Sequence, residues 1–170
     1  MNPSLREFKD FDIAEIYSLV SDVYTTSEGM SESLEEKFPS LESFAQHVNV
    51  LAGRPGNVAL IAEAGGEFYG YLTIMPRYQA KLRHTSELNM GVHHAARGNG
   101  VGKLLLKEAL QRARSSGILE IIYLMVRADN TSAIRLYKGM GFDRLAVLEN
   151  DTKTPSGYYD AWLMRKFVKE

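Results

Sequence analysis

The chain has 170 residues, of which 45 % are apolar and 24 % are charged, and these values predict a single globular domain over residues 1–170. Twenty basic and twenty-one acidic side chains nearly cancel, which argues against nucleic acid or an anionic membrane as a partner. Cysteine is absent, which excludes disulfides and thiolate chemistry and predicts a cytoplasmic protein. No apolar run reaches the roughly 20 residues of a transmembrane helix.

The first third of the chain is predicted to form one short strand followed by helices. Residues 4–8 are the strand, and the apolar positions of residues 13–24 recur at helical spacing. A polar loop follows at residues 25–33. The helical period of residues 34–51 is interrupted by Pro39, which predicts two short helices, the second capped by a serine.

Three strands are predicted in the middle of the chain. Residues 57–64 and 67–78 flank two adjacent glycines, which is a hairpin signal. A further strand covers residues 84–93, where apolar and polar positions alternate. Gly91 inside this strand predicts a bulge or a close backbone approach.

A glycine-rich loop follows this strand. Its residues are Arg97, Gly98, Asn99, Gly100, Val101, Gly102 and Lys103. Alternate glycines turn the backbone sharply and leave amide N–H groups uncovered, and at a helix start such groups favour a phosphate or pyrophosphate. Arg97 is expected to add a bidentate bond and Lys103 a point charge. Neither the P-loop nor the Rossmann glycine pattern fits this loop.

The rest of the chain alternates helices and strands. An amphipathic helix is predicted over residues 101–113, a strand covered on both faces over residues 118–126 and a short helix over residues 131–137.

Residues 142–148 and 158–167 are predicted to pair around a loop at residues 149–157. The resulting order, β-α-α-β-β-β-α-β-α-β-β, indicates an α/β chain with a mixed sheet between helices on both faces.

Two segments of the chain carry a family resemblance. Arg97-x-x-Gly100-x-Gly102 resembles the acyl-CoA pyrophosphate loop of the GNAT superfamily of N-acetyltransferases. Residues 130–142 are similar to that family's segment N-x-x-A-x-x-L-Y-x-x-x-G-F at every fixed position. The resemblance implies the GNAT fold, a twisted and mostly antiparallel mixed sheet flanked by helices, and an acetyl-CoA-dependent enzyme.

The resemblance also implies the residues of a coenzyme A site. The glycine-rich loop, residues 97–103, would hold the pyrophosphate, and the pantetheine arm would lie along the strand at Met90 and Val92. Asn130 would contact the coenzyme, cap its own helix, or do both. Tyr137 would hydrogen-bond the departing thiolate, with simple aromatic packing as the alternative.

A general base is expected because an alkylamine is almost fully protonated at neutral pH. By resemblance to the family, Glu87 is the candidate. A path through His93 or His84 is the rival, and a solvated or salt-bridged Glu87 is the alternative. No metal is predicted, since His93 and His94, adjacent on a strand, would point to opposite faces.

The acceptor is the part of the site that the sequence defines least. Glu28, Tyr78 and Tyr159 are the predicted acceptor contacts, with surface charge and aromatic packing as the alternatives. A small-molecule amine or amino acid is expected, because the chain has neither an extra domain nor a basic docking patch. A protein N-terminal or lysyl acetyltransferase and a non-catalytic acyl-CoA sensor remain the alternatives, and the final hairpin is a possible homodimer contact.

Overall fold

One seven-stranded sheet organises the computed structural model, which describes residues 2–9 and 12–169. Its strands are β1 (Ser4–Glu7), β2 (Val58–Ala64), β3 (Glu67–Pro76), β4 (Thr85–Val92), β5 (Ile121–Arg127), β6 (Asp143–Thr154) and β7 (Gly157–Phe167). They lie in the order β1-β2-β3-β4-β5-β7-β6. Only β4 and β5 run parallel. The predicted fold class, a mixed and mostly antiparallel sheet between helices, is confirmed.

Five α-helices of the described residues cover the two faces of the sheet. They are α1 (Ile13–Thr26), α2 (Leu34–Lys37), α3 (Leu41–Ala52), α4 (Val101–Ser115) and α5 (Thr131–Gly139). Within the described ranges, no helix is both long enough and apolar enough to cross a bilayer.

Period-2 alternation in the strands divides the core into two parts. Leu72 and Ile74 of β3 pack with the apolar stripe of α4, which includes the fully buried Leu105. Tyr71, the residue before Leu72, points to the opposite face and belongs to the second cluster, which α1 and α3 form and which includes Phe44. The amphipathic pattern predicted for α4 therefore matches the side that it buries.

The chain ends in a hairpin that is longer than predicted. The predicted loop at residues 149–157 is wrong, because β6 continues to Thr154 and β7 begins at Gly157, leaving a two-residue turn. The ladder shifts register between Leu148 and Thr152, and Asn150 adopts a φ of 54°. The exposed, polar side chains of this half of β6 carry no apolar alternation, so the pattern did not indicate a strand.

The sheet opens between β4 and β5. These strands pair only where Thr85–Glu87 meets Ile121–Tyr123, and from there β5 pairs with β7 alone. The bulge that was one of the two expectations for Gly91 is absent, since the β3–β4 register is continuous through this residue. The other expectation for Gly91, a close approach, holds: an added Cβ would lie 2.5 Å from Cε1 of Tyr71.

Candidate active site

A cavity of about 810 Å³ passes through the gap between β4 and β5 and joins the two faces of the sheet. The glycine-rich loop and α5 line it on one face, and α1, α2 and α3 line it on the other. A molecule extending through the gap would therefore touch both groups of residues. The volume lies in the range of small-molecule sites.

The glycine-rich loop is shaped to hold an anion. Gly98 and Gly100 have φ values of 77° and 81°, and a Cβ added at either would meet no atom within 4 Å. Gly100 precedes α4 without any side-chain cap. No described residue accepts a hydrogen bond from the N–H groups of Gly98, Gly100, Val101, Gly102 or Lys103. These N–H groups and the helix dipole together favour a phosphate group.

The side chain of Arg97 has a different partner from the one expected. Its Nη1 donates to the Thr26 carbonyl (2.9 Å), its Nη2 to the Thr26 hydroxyl (2.6 Å) and its Nε to the Val92 carbonyl (3.1 Å). These bonds link the loop to the end of α1; Arg97 also lines the cavity, and its bond to a phosphate stays a prediction. Asn99 turns its amide to the Arg97 carbonyl (3.3 Å) and does not line the cavity, whereas Lys103 does.

The free edge of β4 faces the gap. The His93 N–H donates to the Tyr69 carbonyl of β3 (2.9 Å), and neighbouring residues of a strand direct their main-chain groups to opposite sides. The N–H and C=O groups of Leu88 and Met90 thus point into the gap, where β5 has left the ladder. The side chains of Met90 and Val92 point toward the start of α4.

Tyr137 closes the cavity from α5. It is 7 % exposed, packs 5.8 Å from the ring of Phe142 and lines the cavity. Burial raises the pKa of Tyr137 to about 12. With this pKa the hydroxyl is protonated at neutral pH. No described residue hydrogen-bonds it, so it is available as a donor.

Asn130 caps α5 and also lines the cavity. Its Oδ1 accepts from the Ala133 N–H (3.2 Å) and from the Ser132 hydroxyl (3.1 Å). The capping role is thus visible, while contact with a coenzyme stays a prediction.

Glu87 lines the cavity on the face of α1 and α3. Its side chain is exposed to the cavity, and no described residue pairs with it by a hydrogen bond or an ion pair. The salt-bridged alternative is therefore excluded. His84 and His93, the rival bases, do not line the cavity.

His93 and His94 lie together, contrary to the expectation that they point to opposite faces. β4 ends at Val92, and the chain enters a 3₁₀ turn in which the two rings stack with centroids 4.4 Å apart. Both rings meet Asp22 of α1, at 3.5 Å from His93 Nε2 and 2.6 Å from His94 Nδ1. Burial alone would raise the pKa of Asp22, but the hydrogen bonds from His94 lower it.

The His93 ring has a hydrogen bond at Nδ1 and a longer contact with Asp22 at Nε2. Its Nδ1 accepts from the Ala95 N–H (3.2 Å), which leaves Nε2 to carry the proton toward Asp22. Asp22, His93 and His94 bring their ligand atoms within 4.8 Å of one another, so the absence of a metal stays a prediction.

The predicted acceptor contacts are only partly brought to the cavity. Glu28 lies at its rim, where its carbonyl accepts from Arg127 Nη1 (2.5 Å). Tyr78 is corrected: β3 ends at Pro76, and the Tyr78 side chain is 81 % exposed outside the cavity. Tyr159 is also corrected, since its ring packs 4.0 Å from the Arg127 guanidinium and does not line the cavity.

Several cavity residues were missed by the sequence prediction. On the acceptor face they are Tyr24, Lys37, Phe38, His47, Thr73, Asn89 and Arg127. Thr73 and Asn89 share a face with Glu87, so period-2 alternation with the hairpin register would have found them. Lys37 and His47 come from helices whose placement over the sheet no local pattern predicts. His47 lies 5.1 Å from the Phe38 ring, and burial lowers its pKa.

Comparison with known proteins agrees with this geometry. The model of the acetyltransferase (GNAT) family matches residues 13–142. The chain is 33 % identical over 117 residues to N-alpha-acetyltransferase RimI of Mycobacterium tuberculosis, covering 66 % of this chain and 67 % of that protein. It is 25 % identical over 150 residues to L-amino acid N-acetyltransferase AaaT of Escherichia coli, covering 88 % and 91 %. An acetyltransferase of GNAT family from Streptococcus pneumoniae has a crystal structure with a TM-score of 0.91 and 26 % identity, covering 98 % of this chain and 99 % of that one.

Proposed function

The chain belongs to the GNAT family of N-acetyltransferases, and on that premise we propose that it moves the acetyl group of acetyl-CoA to a primary amine of a small molecule or amino acid. The observation that carries the proposal is the cavity through the β4–β5 gap. It joins an anion-binding loop on one face to an unpaired carboxylate on the other.

The coenzyme half of the cavity suits a long, phosphorylated thioester. The uncovered N–H groups of Gly98 and residues 100–103 would hold its pyrophosphate. The free main-chain groups of Leu88 and Met90 would pair with the amides of its pantetheine arm. Acetyl-CoA supplies the activated acetyl group. The bound thioester would then lie at the opening of the gap.

Glu87 is proposed as the base on the acceptor side. An alkylamine with a pKa near 10 is about one part in a thousand neutral at pH 7, which costs roughly 4 kcal/mol. Glu87 would accept the amine proton, directly or through a water, as the N–C bond forms and the C–S bond breaks. Its freedom from any described ion pair leaves the carboxylate available for this proton.

Tyr137 is proposed to stabilise the departing sulfur by hydrogen bonding. With a pKa of about 12, its phenol is a much weaker acid than a thiol at about 8.5, so full proton transfer would be uphill by roughly 5 kcal/mol. A donated hydrogen bond needs no such transfer. The developing thiolate would therefore leave as a hydrogen-bonded anion.

A protein N-terminus is the second candidate acceptor. The mycobacterial relative is named as an N-alpha-acetyltransferase, whereas the E. coli relative is named for L-amino acids. Both acceptors offer a primary α-amine, and only the groups beyond it differ. A panel that varies those groups separates the two candidates.

Release of free thiol from acetyl-CoA tests the proposal. Amines, amino acids, aminoglycosides and short peptides would be compared, using the wild type, Tyr137→Phe and Glu87→Gln, with the exposed Tyr158→Phe and Glu149→Gln as matched controls. We expect acceptor-dependent release that falls by about 10²-fold or more in Glu87→Gln and is unchanged in both controls. Coenzyme binding without turnover for any acceptor would instead favour an acyl-CoA sensor.

A further inference from the structure

A row of polar side chains lies on the sheet beneath α1 and α3. Tyr71 and Thr73 of β3 lie opposite Gly91 and Asn89 of β4 in the ladder. The next pair on the same face is Met75 and Glu87. Directly opposite residues of an antiparallel pair have Cβ atoms about 5 Å apart. Thr73, Asn89 and Glu87 therefore form one continuous polar patch, which we call the floor of the acceptor pocket.

The floor has unsatisfied hydrogen-bonding capacity. Thr73 is only 6 % exposed, yet no described residue hydrogen-bonds its hydroxyl, and the same holds for the Asn89 amide. Both side chains line the cavity together with Glu87. Their polar atoms face the cavity without a partner from the protein, so the hydroxyl and the amide oxygen can accept hydrogen bonds from a ligand that supplies N–H donors.

The walls over the floor are apolar. Phe38 and Phe44 meet edge to face with centroids 5.0 Å apart, and both line the cavity. Leu51 of α3 and Met75 of β3 also line it. A group that fits between these side chains and the floor loses water from apolar surface, which favours an apolar substituent.

The charges around the acceptor half leave little room for a second cation. Glu28 and Asp129 pair with Arg127 (3.9 and 2.6 Å), and Glu32 pairs with Lys37 (2.8 Å). Of the cavity's carboxylates in the described chain, this leaves Glu87 on the floor and Asp151 at the opposite strand, β6. The floor therefore matches one ammonium group, and a second cation in this half of the cavity would meet Lys37 and Arg127.

From these observations we propose that the acceptor is a monocationic primary amine carrying one bulky apolar group. Its nitrogen is held by the Thr73 hydroxyl, the Asn89 carbonyl oxygen and Glu87, and its apolar group lies against Phe38, Phe44 and Met75. This substrate class rests on the proposed acetyl transfer. In this proposal Thr73 and Asn89 orient the amine, and the aromatic walls select the side chain of the acceptor.

A series of amino acid amides tests the substrate class, because all share one α-amine and differ only in the side chain. We expect kcat/KM for phenylalaninamide and leucinamide to exceed that for glycinamide by about tenfold or more. The kcat/KM for lysinamide, which carries a second cation, should not exceed that for glycinamide. Equal values across the series, or a preference for lysinamide, would overturn the inference while leaving acetyl transfer intact.

Substitutions locate the two parts of the pocket. Thr73→Val keeps the shape of the side chain and should lower kcat/KM for every amide by about tenfold, with the Kd of acetyl-CoA unchanged. Met75→Gln should reduce the ratio of kcat/KM for leucinamide to that for glycinamide, because the apolar group loses an apolar contact. Thr25→Val, on an exposed turn of α1, is the control.

The possible failures are distinct. If Thr73→Val acts only through folding, the Kd of acetyl-CoA and the unfolding midpoint change together with the rate, and the assignment of the hydroxyl is overturned. If only peptides are acetylated and no amide is, the proposed small-molecule class is wrong. If no acceptor releases thiol at all, the proposed function itself fails.

Discussion

At the scale of single residues, Gly91 stands where the packing leaves no room for a side chain. A Cβ there would lie 2.5 Å from Tyr71 Cε1 and 2.8 Å from Val23 Cγ1, both inside van der Waals contact. The absent side chain thus allows the Tyr71 ring to lie over β4, where it forms part of the cavity wall.

Gly91→Ala should therefore destabilise the protein by about 1–3 kcal/mol, because the side chains of Tyr71 and Val23 must shift in a packed region. Urea unfolding measures the loss. Gly139→Ala, at the end of α5, is the control, since a Cβ there meets nothing within 4 Å. Equal stability of the two variants would show that Tyr71 and Val23 yield at no cost.

Tyr137 makes a second prediction at this scale, on stability at alkaline pH. Burial raises its folded pKa to about 12 from an unfolded value near 10, so its stabilising contribution is complete below pH 10 and is lost as pH rises toward 12. The two-unit shift corresponds to about 2–3 kcal/mol.

Tyr137→Phe should therefore match the wild type in unfolding free energy near neutral pH and exceed it increasingly between pH 10 and 12. The neutral-pH expectation follows because the lost hydroxyl has no described partner. Denaturant unfolding at several pH values measures the difference. A constant difference across that range would mean that the phenol titrates alike in both states.

At the scale of elements, Arg97 connects the glycine-rich loop to the end of α1. Its three hydrogen bonds reach Thr26 and Val92, so the loop, β4 and α1 are fixed to one another. This contact fixes the position of the uncovered N–H groups of Gly98 and residues 100–103.

Arg97→Met should weaken coenzyme A binding by about three- to tenfold, because these N–H groups lose part of their fixed arrangement. The exposed position predicts little change in unfolding free energy. Calorimetric titration gives the affinity, and Arg135→Met, exposed on α5, is the control. Faster amide exchange of residues 98–103 in Arg97→Met alone would support positioning, and an unchanged Kd would contradict it.

How far the sequence predicts the elements depends on what each pattern records. Hydrophobic periodicity predicted α1 and α4, and Pro39 predicted the break between α2 and α3, because these are local properties. The polar half of β6 was not predicted as a strand, because its side chains are exposed and only its main-chain pairing identifies it. The loop and Tyr137 were found through motifs, whereas Lys37 and His47 reach the cavity through tertiary placement, which local patterns do not contain.

At the scale of the whole molecule, β6 is a long strand with one edge open. It ends the sheet, and its side chains Leu145, Val147 and Leu148 are 46 %, 40 % and 37 % exposed. Long, apolar edges of this kind tend to pair with another chain. The same strand contributes Asp151 and Thr152 to the cavity, so whatever covers the edge lies close to the acceptor.

We therefore expect the protein to form a homodimer through β6, and sedimentation velocity measures it. Val147→Lys places a charge on this edge and should shift the protein to a monomer. Val50→Lys on α3 is a matched control, because Val50 is exposed to the same 40 %. A wild type that sediments as a monomer contradicts the expectation. If the dimer persists in Val147→Lys but dissociates in Val50→Lys, the subunits instead meet through the face that carries α3, because that is where the added charge disrupts the contact.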